Sequence, residues 1–339
     1  MSITFKKKLS STSAVRLPAG TRLNANGTLL LTSTGISSLD AFLGGGLPIG
    51  SLVLVYEDPN STLADSILRC YLAEGIYSQQ DLCIAAERTN LTENWPIREE
   101  NETRPDETDN EKMKIAWRYE NLSTVDSSTA STHPHYNLQP TKPLPSELIE
   151  QIQIHNLTSK DYVPSPSAPS YRQHLLQCIH RLITTRYSSQ HTDKRILRIS
   201  IQSLSLSLFD TDKAHRSDEL FAFFYHLRIL LRTSLATCMI TLNEKSRALE
   251  SLADMAFELK LSNLMHNDYV GFCQLMKLPR LNTVQVFVPD TWDIGIKLIK
   301  HRKNILFEKY SIPPDLSEDA SRDEKPKTFA CSPSKQLDF

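Results

Sequence analysis

Apolar residues along this chain come in two rhythms. Short solid runs mark buried strands: Ser51–Tyr56 (SLVLVY), the start of Arg195–Leu208 (RILRISIQSLSLSL) and Cys238–Leu242 (CMITL). Between them, apolar positions fall at helical spacing. One such stretch runs from the loop after Tyr56 to about Gly75. Another covers Tyr171–Tyr187, with Leu175, Leu176, Ile179, Leu182 and Ile183 on one face, and a third, strongly apolar, covers Glu219–Leu235. Asp254–Leu261 and Asp268–Met276 fit further strands, and Val284–Val288 another. Strands alternating with helices predict an α/β fold with a mainly parallel central sheet flanked by helices.

Polar punctuation sets the organisation. Eight of the ten glycines fall between Gly20 and Gly75, and nine of the 18 prolines fall between Trp95 and Pro169. The second region is also rich in Ser, Thr, Asn and acidic residues, so it cannot be packed core throughout. The pattern predicts a flexible segment over 1–27, one domain over 28–311 with mobile insertions around 98–110 and 123–145, and a disordered tail over 312–339. Between the insertions, KMKIAWRY (112–119) reads as a short strand or a docked segment anchored by Trp117.

Charge and cysteines narrow the class. Charged residues are 23% of the chain and the net charge is -1, which argues against a wholly basic nucleic-acid binder or an acidic tail protein. The six cysteines are scattered without a CxxC pair, as expected for reduced thiols inside a cell. Lys6-Lys7-Lys8 is not followed by an apolar run, so no secretory signal is expected, and no run is long enough to span a bilayer. The expected location is cytoplasmic, with nuclear access. No spacing of His, Cys or carboxylates predicts a metal site.

The candidate chemistry lies after the first core strand. Strand, loop and helix stand where a phosphate-binding loop would sit. Such a loop needs glycines for close backbone approach, a Lys for charge and a Ser/Thr for Mg²⁺. Here it reads Glu57-Asp58-Pro59-Asn60-Ser61-Thr62, with no Gly and no Lys. Ser61 and Thr62 remain, but Glu57, Asp58 and the following Asp65 would repel a triphosphate. In an ATPase of this plan a second strand ends in an Asp that holds Mg²⁺. The matching strand, ILRISIQSL (196–204), offers Gln202, a weaker ligand. Two distant positions of one nucleotide site are thus both altered. Away from them, Lys277 and Arg280 follow a strand and are placed to reach a neighbour's phosphates or RNA, or to form a solvated turn. Arg228 and Arg232 share a helix face at i, i+4, which suits pairing at an interface. Part of the apolar helix 219–235 is expected to be core and part interface.

The segment TGISSLDAFLGGGLPIGSLVLV (34–55) resembles the lead-in of RecA/KaiC-type ATPases, a likeness that extends from about Thr32 to Val288. Together with YLAEGI (71–76), KMKIAWRY, ILRISIQSL, LRILLRTSLATCMITL (227–242), LPRLN (278–282), IPPDLSE (312–318) and a terminal LDF, the chain resembles, nearly end to end, the PAXNEB family of Elongator subunits. That resemblance implies a RecA-like subunit without catalytic residues, set in a hetero-hexameric ring with Elongator subunits 5 and 6. The ring joins a catalytic module of subunits 1, 2 and 3, binds tRNA, and supports carboxymethyl-type modification at C5 of the wobble uridine. It implies no cofactor held by this chain itself, and ATP only at ring interfaces. Two other readings stand beside it: an active ATPase with an atypical phosphate loop, and a RecA paralogue that binds DNA.

Overall fold

The computed structural model describes residues 17–86, 91–92, 94–99, 135–140, 142–157, 170–191, 194–202, 216–262, 269–280, 287–299 and 303–310. In chain order the elements are β1 (Thr21–Leu23), β2 (Leu30–Thr32), α1 (Ser37–Phe42), β3 (Leu47–Pro48), β4 (Leu52–Tyr56), α2 (Leu63–Tyr77), β5 (Asp81–Ala85), β6 (Ile97–Glu99) and β7 (His135–Asn137). There follow α3 (Ser146–Glu150), β8 (Ile154–Asn156), α4 (Tyr171–Arg186), β9 (Leu197–Ile201), α5 (Arg216–Arg232) and β10 (Ala236–Leu242). The last are α6 (Arg247–Leu252), β11 (Met255–Leu261), β12 (Tyr269–Lys277), β13 (Asp293–Ile299) and β14 (Asn304–Lys309).

The predicted α/β architecture is present. A nine-stranded sheet runs in the order β14-β13-β12-β11-β4-β10-β9-β5-β8. From β11 to β8 every neighbouring pair is parallel. The β11–β14 side is antiparallel. This arrangement is consistent with a RecA-like fold. The solid apolar runs are explained by burial on both faces, as parallel strands require. Along β4, Val53 and Val55 face the core layer built with α1 and α2, while Leu52, Leu54 and Tyr56 face the layer built with α4, α5 and α6. A three-stranded sheet of β1, β2 and β3 carries the lead-in to β4.

Three expectations change. Thr21–Leu23, placed in a flexible start, is a strand paired with β2. The polar insertion assigned to 123–145 ends in structure: β7 pairs with β6, and Tyr136, Leu138 and Leu144 are buried in the α2-side core. Phe287 and Val288, expected in a strand, lie in irregular chain, and 284–286 lie outside the described residues. The strands at that end are instead the hairpin of β13 and β14. The segment 112–119, residues 100–111 and 123–134, and the tail from 311 also lie outside the described residues.

Candidate functional site

The glycine-rich lead-in is a buried joint. Asp40, near the end of α1, accepts hydrogen bonds from the Thr34 backbone N–H (2.8 Å), the Thr34 hydroxyl (2.7 Å) and the Ser33 hydroxyl (2.5 Å). Burial pushes the Asp40 carboxyl up from the usual range, against those bonds. Gly35 sits at φ +85°, and a Cβ there would lie 2.3 Å from the Cys70 carbonyl oxygen on α2. Only glycine allows that approach. Thr34, Gly35 and Asp40 therefore fix α1 and the start of the domain against α2, which is a structural task.

The loop between β4 and α2 is turned in on itself. Asp58 accepts from the backbone N–H groups of Asn60 (2.9 Å) and Leu261 (3.0 Å), the latter at the end of β11. Those two N–H groups hold its carboxyl below the usual carboxylate range. The Ser61 N–H donates to the Asp58 carbonyl (3.0 Å), and the Leu63 N–H donates to the Ser61 hydroxyl oxygen (3.1 Å). The Ser66 N–H and hydroxyl both donate to the Thr62 carbonyl. A phosphate cradle needs such N–H groups turned toward the ligand. Here those of Asn60, Ser61 and Leu63 are used by the loop's own oxygens. No residue of the loop adopts a left-handed backbone. The Glu57 N–H continues the β4–β10 ladder by donating to Leu242.

Gln202 lies at the end of β9, 3% exposed, and its amide donates to the Asp65 carboxylate in the first turn of α2 at 2.6 Å. The two altered positions, distant in sequence, thus meet. The amide–carboxylate contact joins the strand end, where an ATPase of this plan would carry an Mg²⁺-holding Asp, to the first turn of α2. The arrangement ties β9 to α2. It offers a divalent ion one carboxylate that is already hydrogen-bonded.

The four cations singled out in the sequence gather at the opposite ends of the central strands, by the start of β4 and β11. β4 is five residues long, so its two ends are about 16 Å apart. Asp254, just before β11, accepts from the Leu52 N–H at 2.9 Å. Its other oxygen meets Arg232 at 2.5 Å and Arg228 at 3.8 Å. Arg232 also donates to the Gly50 carbonyl. The expected shared face of Arg228 and Arg232 is present, and their pairing is within the chain. Lys277 differs from its expected outward reach. Its ammonium donates to the carbonyls of Glu250, Ser251 and Ala253 at the C-terminal end of α6. That uses all three donors of a lysine. Desolvation lowers its pKa. Arg280 is exposed beside it. Among the described residues no cluster of His, Cys, Asp or Glu could hold a metal ion, and no helix is long and apolar enough to cross a membrane.

A family model described as PAXNEB protein matches residues 14–339. The chain belongs to the PAXNEB family. Elongator complex protein 4 of Danio rerio is 34% identical over 364 residues, covering 95% of this chain and 90% of the relative. The Homo sapiens protein of that name is 31% identical over 353 residues, covering 91% and 82%. The Schizosaccharomyces pombe protein of that name is 25% identical over 379 residues, covering 99% and 100%.

One structural side chain of this PAXNEB chain has no counterpart among the residues that the sequence singled out. Arg198 on β9 is fully buried, on the α2 side of the sheet. It donates to the Gln80 side chain (2.6 Å), the Thr32 hydroxyl (2.8 Å) and the carbonyls of Ser33 (2.9 Å) and Tyr71 (2.8 Å), and lies over the Tyr71 ring. It thereby clamps the lead-in and α2 to the sheet. Its signal was a lone cation inside the apolar run ILRISI, where a buried strand should carry none.

Proposed function

We propose that this PAXNEB chain is a non-catalytic, RecA-like subunit of the Elongator complex. Its relatives bear the name of an Elongator subunit over nearly the whole chain length. In this reading it takes its place in a hetero-hexameric ring with subunits 5 and 6. That ring joins a module of subunits 1, 2 and 3, contacts tRNA, and supports C5 modification of the wobble uridine. The chain supplies no transferring group, holds no nucleotide by itself, and works in the cytoplasm with nuclear access. ATP enters only where neighbouring subunits complete a site.

The observation that carries this reading is the closed phosphate loop. A chain whose Asn60, Ser61 and Leu63 N–H groups are bonded within the loop, and whose Asp65 is held by Gln202, has kept the frame of a nucleotide fold with much of the grip used up. Such a chain contributes surfaces rather than turnover. Of the four cations, Arg280 is exposed and is offered to a phosphate of tRNA or of a nucleotide held by a neighbour, while Arg232, also exposed, is paired with Asp254. Arg228, Arg232 and Lys277 position that end of the strands.

The test is mass spectrometry of wobble uridines in tRNA from cells lacking the chain. The expected result is loss of the C5 carbonylmethyl-type groups and their return with the intact gene. Unchanged modification would overturn the proposal.

A further inference from the structure

Helix α5 is apolar on more than one face. Leu220, Phe223, Phe224, Leu227 and Leu231 are buried against the sheet. Phe221, Tyr225 and Ile229 point outward at i, i+4 and i+8, and are 41%, 49% and 49% exposed. Three large apolar side chains in one exposed line exceed what a single amphipathic stripe needs. The line continues into a groove of about 610 Å³ between α4 and α5. Leu176, Ile229 and Leu230 line its apolar part, and Ile229 is common to line and groove. Among the described residues, the charged and titratable groups in the groove are Arg181, His180 and His226, and none of those lining it is a carboxylate.

We infer that the α4–α5 face docks an amphipathic helix of a partner chain, one that carries carboxylates beside its apolar stripe. An apolar groove between two helices, extended by an exposed apolar line along one of them, is the kind of surface on which a partner helix seats its i, i+3 and i+4 anchors. The basic lining selects the acidic flank. A lysine-flanked helix would set like charges against Arg181. Phe221 to Ile229 spans about two turns, enough to engage a partner helix over several anchors. The inference rests on reading the chain as a subunit of a larger assembly.

Two arms test it. In the first, the full chain is co-expressed with Elongator subunits 5 and 6 as the wild type, as Tyr225→Glu/Ile229→Glu, and as Arg181→Glu. The substituted residues are exposed, so thermal unfolding of each isolated variant should match the wild type. Co-purification is expected to fall about tenfold or more for the double variant, and about threefold for Arg181→Glu. Variants that assemble like the wild type overturn the inference while leaving the assembly reading intact. Failure of the wild type to assemble sinks the assembly reading, and the second arm then decides the docking inference. In that arm, fluorescence anisotropy compares two labelled 18-residue helices on the full chain, one Leu/Glu and one Leu/Lys. Preference for the Leu/Glu helix, reversed in Arg181→Glu, supports the docking site. Equal binding, or none of either, contradicts it.

Discussion

The two ends of β4 carry different burdens. At its N-terminal end stands the lead-in joint of Thr34, Gly35 and Asp40, buried and bonded to itself, with Arg198 clamping the neighbouring backbone. At its C-terminal end stands the loop of Glu57 to Thr62, half-exposed and closed by Asp58 and Ser61. Both belong to the nucleotide-fold signature. The joint looks as that signature requires because it holds the fold, where an unmet polar group or an added Cβ is costly. The loop departs from it because its glycines and lysine would serve only a phosphate. Once its N–H groups find internal acceptors, the fold does not need them.

Changing the buried joint should therefore cost more than changing the loop. Arg198→Ala leaves four acceptors without their donor and opens a cavity, and is expected to cost about 3–5 kcal/mol in denaturant unfolding. Gly35→Ala places a methyl against the Cys70 carbonyl at an unfavourable φ, with an expected loss of about 2–3 kcal/mol by the same assay.

At the other end, Gln202→Asp would set two carboxylates together at Asp65, with an expected loss of about 1–2 kcal/mol at pH 7. One carboxyl of such a pair has its pKa raised in the folded state, so the folded chain binds that proton more strongly. Stability of the variant should therefore recover as pH falls through the raised value, read by thermal unfolding against pH. Asp58→Ala should have the smallest effect, below about 1 kcal/mol, because water screens the carboxylate. Its folded pKa is lowered, so its contribution is present above the ordinary value of about 3.9 and lost as pH falls through the lowered one. The gap between variant and wild type should close in acid. Loop variants as costly as joint variants would break the comparison.

Much of this was legible in residue patterns, for stated reasons. Solid apolar runs gave β4, β9 and β10 because parallel strands are buried on both faces. Helical spacing gave α4 and α5 within a few residues of their ends. The absence of Gly and Lys from 57–62, together with Gln202, pointed to one altered site, and the contact with Asp65 joins its two parts. The hairpin of β13 and β14 was missed although DIGIKLI alternates polar and apolar residues as a half-buried strand does; NILFEK lacks that alternation. The order at β7 was hidden by its Pro- and Ser-rich surroundings, although Tyr136 is buried and donates to Glu74 at 2.6 Å. The role of Lys277 could not be read from sequence, since nothing local places the α6 carbonyls beside it.

We propose that the loop at the C-terminal end of β4 holds no phosphate. Phosphate release from Mg²⁺·ATP by the purified full chain, alone, tests it most directly. The expected result is no turnover above a protein-free control, and no change in Ser61→Ala/Thr62→Ala. Turnover by the wild type that drops in that double variant would contradict it, and would make this chain an ATPase with an atypical loop.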